Sequence, residues 1–437
     1  MDVALKTIRM KNFLSFNNIC FDLSGKKGEI LKYAFVYGEN GSGKTNLLQS
    51  LTFLKESSET FLRDQKASNI PNIKQEILKA LSGLNVEIDF YSTDIMSMAS
   101  EYRMIGAEED MALEYVLDID GSETTYRLEF DSSGRLILES LESVINVRRG
   151  NIFTIESGSY RFNSNLFSTE YRKNMNELLD KYWGKHTFLA LIFGEYRSSN
   201  QSYMEKNVAK NMLDFLRCLD SIVVAGKNHI VIDDYGSLLL PRGMIPKKDS
   251  KLLDTVAGTL SRFFTRLYTD VTGVYFRTDD VENNLVRYQL MFKKRITGEI
   301  RDIPADRESS GTKRLINVLP YLLDCADGKI VLIDEIDSGV HDVLMRDLLH
   351  QVIPEVTGQL IATSHNTLLL EESTADNAYV IRIDRKGYKD ISSLASIERP
   401  HKGTSVAKRY VAGCYSGIPI IADIGLRDIL EYEKRNR

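Results

Sequence analysis

Over residues 3–23 apolar and polar positions alternate: Leu5, Ile8 and Met10, then Phe16, Ile19, Phe21 and Leu23. A period of two predicts two strands, with Asn17-Asn18 near the turn between them. An apolar run, Tyr33 to Tyr37, follows, and Leu47, Leu48 and Leu51 then fall at helical spacing. Helix signal continues through Leu54 and fades in the polar stretch Glu56 to Ser68. Alternation returns at Leu84–Tyr91, Leu113–Asp118 and Thr125–Phe130, and Leu136–Val147 reads as further strand. Asp120-Gly121, between two of these runs, is a strong hairpin signal. The expectation is an antiparallel sheet laid beside the unit at residues 33–51.

From about 165 to 270 the period changes. Met175, Leu178, Leu179 and Tyr182 recur at helical spacing, as do Met212, Phe215, Leu216 and Leu219, then Val256, Leu260, Phe263 and Phe264. A strand excursion is expected at Ile230–Leu240. Basic residues punctuate this block, among them Lys206, Lys210 and Lys251; interspersed acids favour a solvated face over a DNA or partner surface. Val274–Arg277 and Val286–Phe292 return to strand. No internal repeat, low-complexity segment or long heptad pattern is found.

Composition narrows the class without deciding it. The 437 residues suffice for two or three domains, or one with a large insertion; 43% hydrophobic and 27% charged content are ordinary for a globular protein. A net charge of −5 carries no global signature of a nucleic-acid binder, though a local basic groove stays open. Cys20, Cys218, Cys325 and Cys414 are far apart and suggest free thiols in a reducing compartment. No apolar run reaches membrane-spanning length and the first residues carry no signal-peptide pattern, so a cytoplasmic protein without membrane partner is expected. The histidines show no metal-ligand clustering.

Val36-Tyr37-Gly38-Glu39-Asn40-Gly41-Ser42-Gly43-Lys44-Thr45 fits G-x-x-x-x-G-K-[ST] between the apolar run and the helix. That setting favours a phosphate site over a plain Gly-rich turn. Glycines let backbone N–H groups turn inward around a polyphosphate, and the helix start adds its positive end. Lys44 would reach the β- and γ-phosphates, and Thr45 would take one Mg²⁺ position. The implied ligand is a nucleoside triphosphate.

Past residue 300 a second cluster appears. Lys329–Glu335 is a buried-strand run ending in two carboxylates: Asp334 suits Mg²⁺, and Glu335 suits orienting and activating a water. Ser309-Ser310-Gly311 opens a helix with apolar Leu315, Val318, Leu319 and Leu322, either an anion cradle or a simple N-cap. Asp337-Ser338 follows the acidic pair, and another apolar strand, Leu360–Thr363, ends in Ser364-His365-Asn366.

Together these residues resemble the ABC-type ATPases, and within them the soluble RecF/SMC-like and OLD-like group. Gly38–Thr45 is similar to Walker A, and Lys329–Glu335 to Walker B with its catalytic glutamate. Glu308–Thr312 occupies the place of the signature, Asp337-Ser338 that of the D-loop and His365 that of the switch histidine. Ile8–Phe16 is similar to the opening of that group, with Leu14 where arginine is frequent, and the signature departs from the transporter form. The resemblance implies an α/β fold: an ABC-type P-loop head, a mixed sheet with flanking helices, an antiparallel β subdomain and an inserted, mainly helical subdomain. The implied boundaries are 1–160 for an N-terminal ATPase lobe with Walker A and the antiparallel β subdomain, 161–272 for the mainly helical insertion, and 273–437 for a C-terminal ATPase lobe with the signature, Walker B and the switch histidine. It implies ATP and Mg²⁺ as ligands. The nucleotide contacts would be Gly38, Asn40, Gly41, Ser42, Gly43, Lys44, Thr45, Asn46, Ser309, Ser310 and Gly311; the metal contacts, Thr45 and Asp334; the catalytic set, Lys44, Glu335 and His365.

The tail Tyr410–Pro419 resembles the ending of bacterial defence ATPases of the AbiLi/RloA kind and of the PARIS and Septu ATPase subunits. About 70 residues follow His365, short of the ~100 or more of a separate catalytic domain, so no built-in effector is expected. The resemblance implies an ATP-hydrolysing sensor or scaffold in anti-phage defence. It would act as a head-to-tail homodimer with a separately encoded effector, a nuclease or other toxin, triggered by DNA or a phage protein. The alternative is a RecF-like maintenance ATPase that binds DNA directly. A transporter subunit fits least, given the long separation of Walker A from the signature.

Overall fold

The computed structural model describes residues 1–25, 28–69, 94–145, 148–225, 241–281, 284–398, 405–418 and 426–435. In chain order the strands are β1 (Val3–Phe13), β2 (Phe16–Asp22), β3 (Tyr33–Gly38), β4 (Met111–Ile119), β5 (Ser122–Phe130), β6 (Leu136–Ile145), β7 (Arg148–Glu156), β8 (Ser159–Phe162) and β9 (Ile222–Ala225). They continue as β10 (Arg242–Pro246), β11 (Val271–Val281), β12 (Leu285–Ile296), β13 (Glu299–Pro304), β14 (Ile330–Ile333), β15 (Gln359–Thr363), β16 (Ala378–Ile383) and β17 (Lys389–Ser393).

A six-stranded sheet runs β17-β16-β3-β15-β14-β9, parallel from β16 through β9 with β17 antiparallel at one edge. The central strands are buried, apart from the partly buried Tyr33 that opens β3, and correspondingly apolar. Parallel pairing brings the carboxyl ends of β3, β15 and β14 to one edge, which is where ligands bind in open α/β sheets.

The seven-stranded antiparallel sheet, order β2-β1-β4-β5-β6-β7-β8, shares a core with the helix Lys44–Asn69 that follows β3. Its β4–β5 turn is Asp120-Gly121, both at positive φ, as the sequence signalled. Leu47, Leu51 and Leu54 of the helix share one core with Ile8, Met10, Leu113 and Leu128 of this sheet. The buried Gln359 side chain pins β1 to β15, exchanging hydrogen bonds with the Leu5 amide (2.8 Å) and carbonyl (3.0 Å). A four-stranded sheet of β10–β13, with the helix Lys251–Leu267 against it, leads into the helix Ser310–Ala326. The whole is an α/β fold in which a mainly parallel, helix-flanked sheet carries an antiparallel β subdomain.

Several elements differ from the expectation. The helix does not fade at Glu56 but runs to Asn69. Ser57, Ser58 and Thr60 are buried, each hydroxyl donating to the carbonyl three residues back, so polar residues occupy a packed face without an unmet donor. Phe188–Ser198 is a further buried helix, and a Cβ on its Gly194 would lie 2.9 Å from the Phe61 ring. The block 161–272 is largely helical, but it also supplies β9, which pairs with β14 in the central sheet. Its residues from Leu166 to Ile222 share the core of the N-terminal lobe. The strand readings at Leu84–Tyr91 and Ile230–Leu240, and the last residues of Leu136–Val147, lie outside the described residues.

Candidate nucleotide-binding site

Gly38, Gly41 and Gly43 all have positive φ, and two have no room for a side chain. A Cβ on Gly38 would lie 2.7 Å from the Ser42 hydroxyl, and one on Gly43 2.8 Å from the Phe16 ring. The loop therefore closes tightly between β3 and the helix starting at Lys44. The buried Lys44 side chain folds back, its ammonium donating to the carbonyls of Gly38 (2.8 Å) and Glu39 (3.1 Å). Ser42 is fully buried and its hydroxyl has no hydrogen-bond partner among the described residues. An orphan hydroxyl inside a ring of amides fits an anion. Asn40 and Gly41 are exposed at the loop's crest, and Asn46 Nδ2 donates to Ser15 Oγ at 2.7 Å.

The acidic pair meets this loop. Thr45 Oγ1 donates to one oxygen of Asp334 (2.9 Å), and Thr363 Oγ1 donates to the other (2.6 Å). Thr363 also accepts from the Glu335 amide at 2.7 Å. One hydroxyl at the end of the middle strand thus orients both carboxylate residues at the end of its neighbour. Glu335 holds a left-handed φ of 46°, a conformation a non-glycine residue keeps only when its surroundings fix it. Arg314 Nη2 supplies the second restraint, donating to the carbonyls of Asp334 (2.7 Å) and Glu335 (2.8 Å). Burial lowers the Arg314 pKa, and the nearby Asp334, Glu335 and Asp337 act against that fall.

The Thr45 hydroxyl and the Asp334 carboxylate are hard oxygen donors within one hydrogen bond of each other, a pair that suits Mg²⁺, which takes one or two protein ligands beside phosphate and water. Among the described residues no group of three or more His, Cys, Asp or Glu side chains is placed to hold a metal ion.

Ser309 caps the helix Ser310–Ala326, accepting from the Thr312 amide at 3.1 Å. The Cβ position of Gly311 faces Gly339 and Val340. Ser309 and Ser310 are exposed, while the preceding Glu308 is buried in an ion pair with Lys294 of β12 at 2.8 Å. His365 is exposed, and its amide donates to Asp337 at 3.2 Å. One chain therefore brings Lys44, Thr45, Asp334 and Glu335 to a single sheet edge and leaves Ser309, Ser310 and His365 facing outward.

Sequence reading missed Thr363 and Arg314 as parts of this site. Thr363 was visible only as the polar last residue of an apolar strand, and Arg314 only as one of several charges at a helix start.

No curated protein matches the chain in sequence. Among solved structures, an SMC head bound to the C-terminal winged-helix domain of ScpA is similar, with TM-score 0.47 and 14% identity over 90% of this chain and 99% of that one. The SMC head of Thermotoga maritima aligns with TM-score 0.38 and 15% identity, over 89% of this chain and 98% of that one. The recombination mediator RecF in its ATPrS form gives 0.37 and 12%, over 89% and 98%. The family described as "AAA domain, putative AbiEii toxin, Type IV TA system" matches residues 34–214 and 250–371, well over half of the chain. With the glycine loop and the acidic pair inside the matched residues, the chain belongs to this family of AAA-domain ATPases.

Proposed function

We propose that the protein hydrolyses ATP with Mg²⁺ as a head-to-tail homodimer, and that bound ATP reports a closed state to a separately encoded effector. The contact between Thr45 and Asp334 carries the reading, since it joins the phosphate loop to an acid at the neighbouring strand ends. In this account Lys44 and the loop amides hold the phosphates, and Mg²⁺, placed by Thr45 and Asp334, supplies charge neutralisation. Glu335, held by Thr363 and Arg314, accepts a proton from the attacking water. The outward-facing Ser309 and Ser310, with the adjoining Gly311, cap the nucleotide of a second copy, whose site is incomplete without them. In this account the exposed His365 acts at that interface as well.

A defence role rests on the family description, which names a toxin and a toxin–antitoxin system, and on the resemblance of the tail. In this role the protein would restrain or release a nuclease or other toxin after sensing DNA or a phage protein. No helix among the described residues is long and apolar enough to cross a membrane. The test is co-expression with the neighbouring open reading frames under phage challenge, wild type against Glu335→Gln. Protection that needs both the neighbour and Glu335 supports the role. Unchanged phage sensitivity, together with steeply salt-dependent duplex binding, would replace it with direct DNA maintenance.

A further inference from the structure

The ammonium of Lys389 lies beside the glycine loop. Lys389 opens β17, and its Nζ donates to the Gly41 carbonyl at 3.0 Å and to Ser15 Oγ at 2.7 Å. It stands 5.7 Å from the centre of the Phe16 ring, the ring that also packs against Gly43. Ser15 Oγ accepts in addition from Asn46, in the first turn of the helix that follows the loop. Lys389 is thus tied to the loop's crest and, through Ser15, to its helix.

The charge itself is unanswered. Both acceptors are neutral oxygens, and among the described residues no carboxylate forms an ion pair with Lys389. Partial burial lowers its pKa, with no acidic neighbour offsetting the fall. Holding a partly desolvated cation next to an anion cradle is unfavourable unless an anion shares the site.

Sheet order says which part of the anion. In β17-β16-β3-β15-β14, β17 lies on the opposite side of β3 from Asp334 and Glu335. Lys389 therefore approaches the loop from the side away from the hydrolytic end. Resting on the nucleotide-binding reading above, we propose that Lys389 is a nucleotide-binding cation for the phosphates nearest the nucleoside, so that ATP and ADP both use it.

The test is titration of ATP and of ADP onto the full chain by calorimetry, with unfolding temperatures measured alongside. Lys389→Met and Lys389→Gln remove the charge, and the Gln amide keeps a donor for the neutral oxygens. Both variants should weaken ATP and ADP alike, by roughly tenfold or more, with Lys389→Arg staying within a few-fold of wild type. Wild-type affinity in Lys389→Met overturns the proposal, as does a loss confined to ATP. A loss in Met that Gln restores would make Lys389 a clip for the loop and also overturns it. Wild-type protein binding neither nucleotide would sink the ATPase reading itself, a separate outcome.

Discussion

The Thr45 hydroxyl donates to the Asp334 carboxylate at 2.9 Å although 289 residues separate the two in the chain. β15 lies between their strands, and its last residue, Thr363, donates to the other oxygen of Asp334. Asp334 is therefore oriented by one hydroxyl on each oxygen. Such orientation lowers the reorganisation needed at the site.

The division of labour can be separated by two substitutions. Lys44→Ala removes the main cation of the loop and should abolish nucleotide binding. Glu335→Gln leaves Asp334 and the loop intact, so binding should persist while turnover falls by about two orders of magnitude. Fluorescent-nucleotide titration and phosphate release measure the two effects. Wild-type turnover in Glu335→Gln would remove it as the base.

Thr363→Val keeps the volume and deletes the hydroxyl that serves both Asp334 and Glu335. Turnover should drop roughly tenfold with nucleotide affinity near wild type, and Thr363→Ser should retain most activity. Equal losses in Val and Ser would point to strand packing instead of the hydroxyl.

Glu139 tests what joins the antiparallel sheet to the helices behind it. The buried carboxylate accepts from Tyr126 Oη, Trp183 Nε1 and the amides of Phe188 and Leu189. Glu139→Ala should destabilise by about 3 kcal/mol or more, because buried donors lose their acceptor. Burial raises the pKa of Glu139, and the four donors act against the rise. A raised folded-state pKa means that its contribution is complete below the unfolded value and declines as pH rises through the folded one. The stability gap between wild type and Glu139→Ala, from urea unfolding, should narrow as pH rises from 4. A widening gap would reverse the assigned direction.

The basic side chains of the helical block should be dispensable for basal hydrolysis. Lys206, Lys210 and Lys251 are exposed, and among the described residues Lys210 pairs with Asp214 on its own helix. Reversing all three to Glu should leave ATPase activity near normal and weaken attachment to the partner or to nucleic acid. Lost hydrolysis in a folded variant would place this block in the catalytic machinery.

What the sequence disclosed followed the range of each interaction. The glycine loop, the Asp120-Gly121 hairpin and the Ser309 cap are local devices, and each stands where its residues put it. The helix past Glu56 was misread because Ser57, Ser58 and Thr60 look like a surface while their hydroxyls are answered within the helix. Phe188–Phe193 is apolar on every side, so it carries no helical period to read. β9 spans too few residues to show alternation. Thr363, Arg314 and Lys389 acquire their places only when strands far apart in sequence become neighbours.

The measurement that bears most directly on a site shared between two copies is mixing of two inactive variants. Lys44→Ala disables the loop of its own chain, and Ser309→Arg blocks the cap that chain offers its partner. A mixed dimer gathers both lesions in one composite site and leaves the other whole. Mg²⁺-dependent ATPase activity should reappear on mixing, toward about a quarter of the wild-type rate per dimer for random exchange and independent sites. No recovery in dimers shown to be mixed would contradict a site completed by the second copy.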